Sequence, residues 1–378
     1  MFAKNIMFLD LGYSLKGMVI NEKKFKILAK ATQENSGISN GYITNTEIFQ
    51  TSLKMLIKTL EKKTKSKISS TVLLVGGKLV SYKLLVSNEI KIGSIIDKEK
   101  MNLIDLKIKK WIDENQSLLI RSNPIEYKID GISTENPFGM YADALQFTYF
   151  LAYAKMNVLG NIVYLLEKQG LDIIDIIPSI YCAAALNLHE DEKTLGSLIF
   201  DCGANNINWA CYLRNKPIAA GSIQIGSEIL TNKIAKSLKI SINEARKLKH
   251  KHAAAQLSSE NFCIWVEFIK DGNTEYMLES EIVRKIIPEV RLITDEIQKI
   301  IAHFSSKAHL AVLCGNAAWL NKFNEVLQKG ISTSIKLIPS TQPEYDALNG
   351  TIIALQNEMK KKEKNILQKA SHWLKENL

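Results

Sequence analysis

Several things are scarce or missing in this sequence, and each excludes a class of protein. The 378 residues carry 7 prolines and 19 glycines, with no Pro/Gly/Ser-rich stretch, so nothing reads as a flexible linker. No apolar run approaches the roughly 20 residues that a membrane-spanning helix needs. The five cysteines, Cys182, Cys202, Cys211, Cys263 and Cys314, are odd in number, scattered, and form no C-x-x-C pair. That excludes a disulfide framework or a zinc ribbon and leaves buried, reduced thiols. The histidines, His189, His250, His252, His303, His309 and His372, form no nucleophile or metal pattern and are expected at the surface or with satisfied partners. Met1–Asn5 runs directly into the strand-like IMFLDLG, without a long apolar region or small-residue cleavage site, so the chain is expected to be cytosolic.

Hydrophobic residues make up 46% and charged residues 23%, which is ordinary for a globular protein. The length suffices for two to four domain-sized units with a substantial core. The formal net charge is +10. The lysines are spread, with dense clusters only at 58–67, 107–110, 246–251 and 360–364, and aromatic residues do not interleave with them. A single-strand nucleic-acid binder needs that interleaving, so no nucleic-acid partner is expected. Glu190-Asp191-Glu192 reads as a solvated loop, and Trp111, Trp209, Trp265 and Trp319 as core or subdomain-interface residues.

Along the chain, FLDLGYSLKGMVI (8–20) reads as two strands around an Asp-x-Gly turn, and 25–34 as a third strand. Residues 45–67 place apolar side chains at 48, 49, 53, 56, 57 and 60, the spacing of an amphipathic helix. STVLLVGGKLV (70–80) returns as a strand into a Gly-Gly turn. Residues 81–155 are less regular and hold the turn signal Asn136-Pro137-Phe138-Gly139. A helix at 158–171, a strand at 172–179 and a helix at 180–190 follow. The pattern then restarts: 194–226 is again a hairpin around an Asp-x-Gly turn. Helices follow at 227–250, interrupted near Ser241, and at 280–304, across Pro288; 308–327 is a strand, a Gly turn and a helix, and 343–359 is a last helix.

Two such halves suggest a repeat. Face to face, the hairpins would form a phosphate site. Turn amides make concave nests for phosphate oxygens, and glycine lets the backbone approach closely. Asp10 and Asp201 would hold magnesium through its waters. A third Gly turn, Leu313–Ala318, would close the pocket over a purine.

At this point the chain resembles a known family, the bacterial cell-division protein FtsA. IEYKIDGISTENPFGM (125–140) resembles the family's block ending in Asn-Pro-x-Gly-Met, which belongs to a small subdomain that other actin-like proteins lack. ISSTVLLVGGKLVS (68–81), IQIGSEILTNKIAKSL (223–238), LCGNAAWL (313–320) and PEYDALNGTIIAL (343–355) are similar to further family segments, in order. The resemblance implies an α/β, actin-like (ribonuclease H-like) fold. Its expected parts are a first lobe at 1–81, an inserted subdomain at 82–160, a second-lobe core at 161–230 and 308–358, a subdomain at 231–307, and a basic tether with a terminal helix at 359–378. It implies ATP with magnesium as cofactor, held by Asp10, Gly12, Ser14, Lys16, Asp201, Gly203, Asn205, Gly226 and Gly315, with Asp10 and Asp201 as the metal residues.

The departures matter as much. Tyr13 replaces a small hydroxyl residue, and Lys16 is displaced by one. In the second loop Ala204 and Asn205 stand where the family has glycines, Asn206 and Ile207 where it has Thr or similar, and Asn208 where it has Asp. Arg246 stands where the family usually has Glu. Asn205 could adopt a left-handed turn, Ala204 only at a cost. Asn208 has no titrating carboxylate for acid/base work. Nucleotide affinity is expected to be weak or lost and significant hydrolysis absent.

KKKEKNILQKASHWLKENL (360–378) sets lysines ahead of an amphipathic stretch whose stripe is Ile366, Leu367, Ala370, Trp373, Leu374 and Leu378. That suits lying in an anionic headgroup layer, and the family ends in a similar membrane helix. The resemblance then implies a scaffold at the cytoplasmic face of the cell inner membrane, at the division site. Its partners would be the C-terminal peptide of FtsZ, with Arg291 and Glu296 as contact candidates, further copies of itself, and other division proteins. The alternatives are an ATP-dependent kinase or ATPase of the same superfold and a pilus- or secretion-type actin-like assembly protein.

Overall fold

A computed structural model of the chain describes residues 5–34, 37–39 and 41–357. The tether and terminal stripe, including Ile366, Leu367, Ala370, Trp373, Leu374 and Leu378, lie outside the described residues.

Two five-stranded sheets form the centre, and they repeat one topology. In the first, the meander Asn5–Leu11, Leu15–Asn21, Ile27–Gln33 is antiparallel, and Ser70–Val75 and Asp172–Pro178 add on in parallel beyond Asn5–Leu11. In the second, the meander Ser197–Cys202, Ile207–Leu213, Lys216–Ile223 is followed in the same sense by Leu310–Cys314 and Ser334–Leu337. The inner parallel strands are near-continuous apolar runs because helices cover both faces; Ser70–Val75 is buried at every residue.

The helix Thr46–Thr64 starts where the Asn45 side chain accepts from the Ile48 amide and ends at left-handed Lys65. Its stripe, Phe49, Leu53, Leu56 and Leu60, lies on the first sheet, each side chain contributing about 1.5–3 kcal/mol by burial. It comes so close at Gly17 that a Cβ there would sit 2.6 Å from Leu60 Cδ1.

Two lobes result, but their boundaries differ from the sequence expectation. The helix Met156–Glu167 and the strand Asp172–Pro178, expected in the second lobe, complete the first: the strand pairs in parallel with Ser70–Val75, and Leu159, Ile162 and Leu166 enter the first lobe's core. The last described helix, 346–357, packs with Tyr345 against Ile6, Phe8, Met18 and Ile20 of the first sheet. Ser179–Asn187 packs instead on the second sheet, against Ile199, Ala210 and Val312. These two helices cross at Gly350, where any Cβ would run into the Cys182 carbonyl.

The insert is more regular than its sequence suggests. Ser81–Val86, Ile90–Ile95, Ser117–Ile129, Ile132–Thr134 and Tyr141–Lys155 form one sheet. A helix the sequence reading did not anticipate, Lys98–Glu114, lays Ile104, Ile108 and Ile112 on it. The second lobe carries its own subdomain: Glu228–Leu238, Ile242–His252, the hairpin Trp265–Lys270/Asn273–Leu278, and the helix Glu279–His303, which passes through Pro288. Of the tryptophans expected in the core or at a subdomain interface, Trp265 is 69% exposed on that hairpin, and Trp319, 43% exposed, lines the cleft between the lobes. Among the described residues, no helix is long and apolar enough to cross a membrane.

Candidate functional site

The repeat puts Asp10 and Asp201 at equivalent places, near the carboxyl ends of their sheets' central strands. Asp10 lies opposite Lys16 across its hairpin and beside Leu74; Asp201 lies opposite Asn208 and beside Cys314. Both face one crevice of about 560 Å³ between the lobes, within the usual range of ligand sites. Of the residues expected to hold nucleotide, Asp10, Gly12, Ser14, Lys16, Asp201, Gly203, Asn205 and Gly315 all line it. Gly226 does not; it lies behind the second turn, where a Cβ would strike the Ala204 and Gly203 carbonyls.

Lys16 Nζ lies 3.4 Å from Asp10 Oδ2. Burial opposes its charge, but Asp10 and Asp201 together outweigh that and raise its pKa. Asp201 is raised to about 6, first by burial and then by Asp10, with Lys16 opposing. Gly315, at φ +81°, packs on this carboxylate: a Cβ would lie 2.5 Å from Asp201 Oδ1 and 2.8 Å from the Cys202 amide nitrogen. Only glycine tolerates both that conformation and that contact. Among the described residues no group of three His, Cys, Asp or Glu could hold a metal ion. Asp10 and Asp201, the two residues expected to hold a metal, both line the cleft with Lys16.

The second turn is occupied by the protein itself. The Gly203 amide donates to the Asn206 carbonyl, and the Gly203 and Ala204 carbonyls accept from the Ser227 and Glu228 amides at the start of Glu228–Leu238. Neither Ala204 nor Asn205 adopts positive φ, so the left-handed turn open to Asn205 is not used. Asn208 is buried, and its Oδ1 accepts from the Gly77 amide of the other lobe at 2.8 Å.

The cleft also gathers residues the sequence did not mark as a set. Arg246 donates to Tyr13 Oη and to Glu228 Oε1. Lys249 and His250 line the same wall; burial lowers the pKa of both, and Arg246 adds to this. His252 shares a hydrogen bond with buried Glu279, which also accepts from Asn261. The FtsZ-contact candidates Arg291 and Glu296 lie on Glu279–His303 outside the cleft; Glu296 pairs with Lys299.

Solved structures share this fold. The PilM–PilN type IV pilus biogenesis complex matches with a TM-score of 0.65 at 14% identity, over 93% of this chain and 98% of that one. MreB5 of Spiroplasma citri bound to ADP matches with 0.56 at 12% identity, over 96% and 99%. The fold is actin-like, as the paired hairpins imply. The family model for Cell division protein FtsA matches residues 198–352. Cell division protein FtsA of Agrobacterium fabrum is 20% identical over 326 residues, 83% of this chain and 73% of the relative. The protein of the same name from Staphylococcus epidermidis is 24% identical over 368 residues, 91% and 77%. The chain is similar to Cell division protein FtsA over most of its length.

Proposed function

We propose that this chain is a non-catalytic cell-division scaffold that tethers the FtsZ ring to the cytoplasmic face of the membrane and assembles with itself. The observation that carries the reading is the likeness to FtsA proteins, which extends over 91% of the chain for the Staphylococcus epidermidis relative. The likeness to PilM is one of fold and does not by itself favour a pilus role.

Attachment to an anionic bilayer is assigned to the lysines at 360–364 and the stripe from Ile366 to Leu378. The FtsZ peptide is assigned to the subdomain bearing Arg291 and Glu296. ATP, with magnesium, is the ligand proposed for the cleft. Lys16 and the Gly12–Ser14 turn would meet its phosphates, and the Gly315 turn its purine. Turnover is not proposed. Asn208 carries no titrating group, and its Oδ1 is bonded to Gly77.

The test uses the full chain and a variant lacking 365–378, sedimented with vesicles of phosphatidylglycerol and phosphatidylethanolamine, with and without an FtsZ C-terminal peptide. Loss of sedimentation on truncation, with peptide binding kept, supports the reading. Equal sedimentation of both forms, or no peptide binding, overturns it. Steady phosphate release from ATP, abolished by Asp10→Ala, would instead restore the kinase or ATPase class.

A further inference from the structure

Two contacts tie the lobes together across the cleft, and both use residues at which the chain departs from the pattern it resembles. At the rim, Arg246 Nη2 donates to Tyr13 Oη at 2.8 Å, and its guanidinium lies 5.6 Å from the Tyr13 ring centroid. The same guanidinium is anchored on its own lobe by Glu228 Oε1 at 2.9 Å. Deeper in, the Gly77 amide donates to Asn208 Oδ1 at 2.8 Å, and Asn206 Nδ2 would lie 2.5 Å from any Cβ at Gly77. Tyr13 and Arg246 are 233 residues apart, and each alone looks like a lost function. Together they are a matched donor and acceptor with a cation over a ring, an interaction stronger than a neutral hydrogen bond.

We propose that these contacts form a latch that holds the lobes closed without ligand, and that a phosphate-bearing ligand enters by drawing Arg246 away from Tyr13. An anion is the fitting competitor because Lys16 and Lys249 line the cleft together with Arg246. Closure and ligand binding then oppose each other. A ligand that binds only the unlatched state loses apparent affinity by the fraction of molecules that are latched. The latch does not depend on the membrane or FtsZ assignments and can fail or hold without them.

The experiment measures hydrogen exchange in the full chain, with ADP as the probe ligand. Without ADP, residues 12–16 and 76–78 are expected to be protected. Tyr13→Phe keeps the ring and removes only the acceptor. It should raise exchange at 12–16 about tenfold, the effect of losing one hydrogen bond to a charged group, and tighten ADP binding by about the same factor. Arg246→Gln should open the latch equally but not tighten ADP, because it also removes the cation the ligand would take. Asn208→Ala should raise exchange at 76–78 while leaving the rim intact. Wild-type exchange in Tyr13→Phe, or protection that appears only when ADP is added, overturns the latch. Equal ADP binding by wild type and Tyr13→Phe, including none by either, overturns the competition.

Discussion

In the first hairpin Asp10 faces Lys16 across the strands; in the second, Asp201 faces Asn208. The first turn closes on the pair Leu11–Leu15 and the second on Cys202–Ile207, one residue longer. That extra length lets the second turn fold back onto the helix Glu228–Leu238 and satisfy its first amides with the Gly203 and Ala204 carbonyls. The first turn carries a cation beside its carboxylate, whereas the second gives the Gly203 and Ala204 carbonyls to the helix behind it and keeps Ala204, Asn205 and Asn206 on the cleft. The comparison teaches that one repeat sets a cation beside its carboxylate while the other ties its turn's carbonyls to the helix that follows.

The sharpest test of that asymmetry is glycine replacement. Gly315→Val combines a left-handed backbone with collisions at Asp201 and Cys202. It should cost about 3–5 kcal/mol in urea unfolding; a cost below about 1 kcal/mol would mean the second turn is loose. Gly226→Ala drives a methyl into the Ala204 and Gly203 carbonyls and should cost about 2–3 kcal/mol in the same measurement.

A pH series separates the two carboxylates. Asp201, raised to about 6, stands above an unfolded value of about 3.9, so its charged form is the one the fold disfavours. The stability linked to its protonated form is complete below about pH 4 and is lost as pH rises through about 6. Asp201→Asn should therefore match wild type near pH 4 and exceed it by about 2–3 kcal/mol at pH 7.5. A gap that shrinks with rising pH would reverse the assignment. The smallest effect is expected at Gly12→Ala, where the nearest atom to a Cβ is the Ser14 carbonyl oxygen at 3.5 Å and φ is not left-handed. Stability should change by no more than about 0.5 kcal/mol.

Much of the architecture was legible because the two hairpins repeat a strand–Asp-x-Gly–strand pattern, which sets the eight expected residues on the two sides of one cleft. Gly226 was misplaced because its closeness to the second turn reflects packing from behind, which spacing does not distinguish from contact with a ligand. The helix Lys98–Glu114 escaped notice because lysines and other polar residues interrupt its stripe of Met101, Ile104, Ile108, Trp111 and Ile112. Its Asp97 cap, which accepts from the Lys100 amide, was the available signal. Asp172–Pro178 was assigned to the wrong lobe because its partner strand begins at Ser70, about a hundred residues earlier; strand pattern carries no record of a distant partner. The Tyr13–Arg246 pair was invisible for the same reason, although both residues were conspicuous singly.

The crossing of the helices 179–187 and 346–357 has a consequence for the order in which the chain is made. The outer face of the first sheet, with Ile6, Phe8, Met18 and Ile20, is covered by the helix that includes Leu348 and Ile352. During synthesis the earliest strands emerge from the ribosome long before their cover does. Through most of translation they expose an apolar surface of the kind that aggregates or recruits chaperones. The first lobe is thus unable to finish until residues near 352 are out, and truncated products ending before about 345 should be cleared by proteolysis rather than accumulate as folded halves.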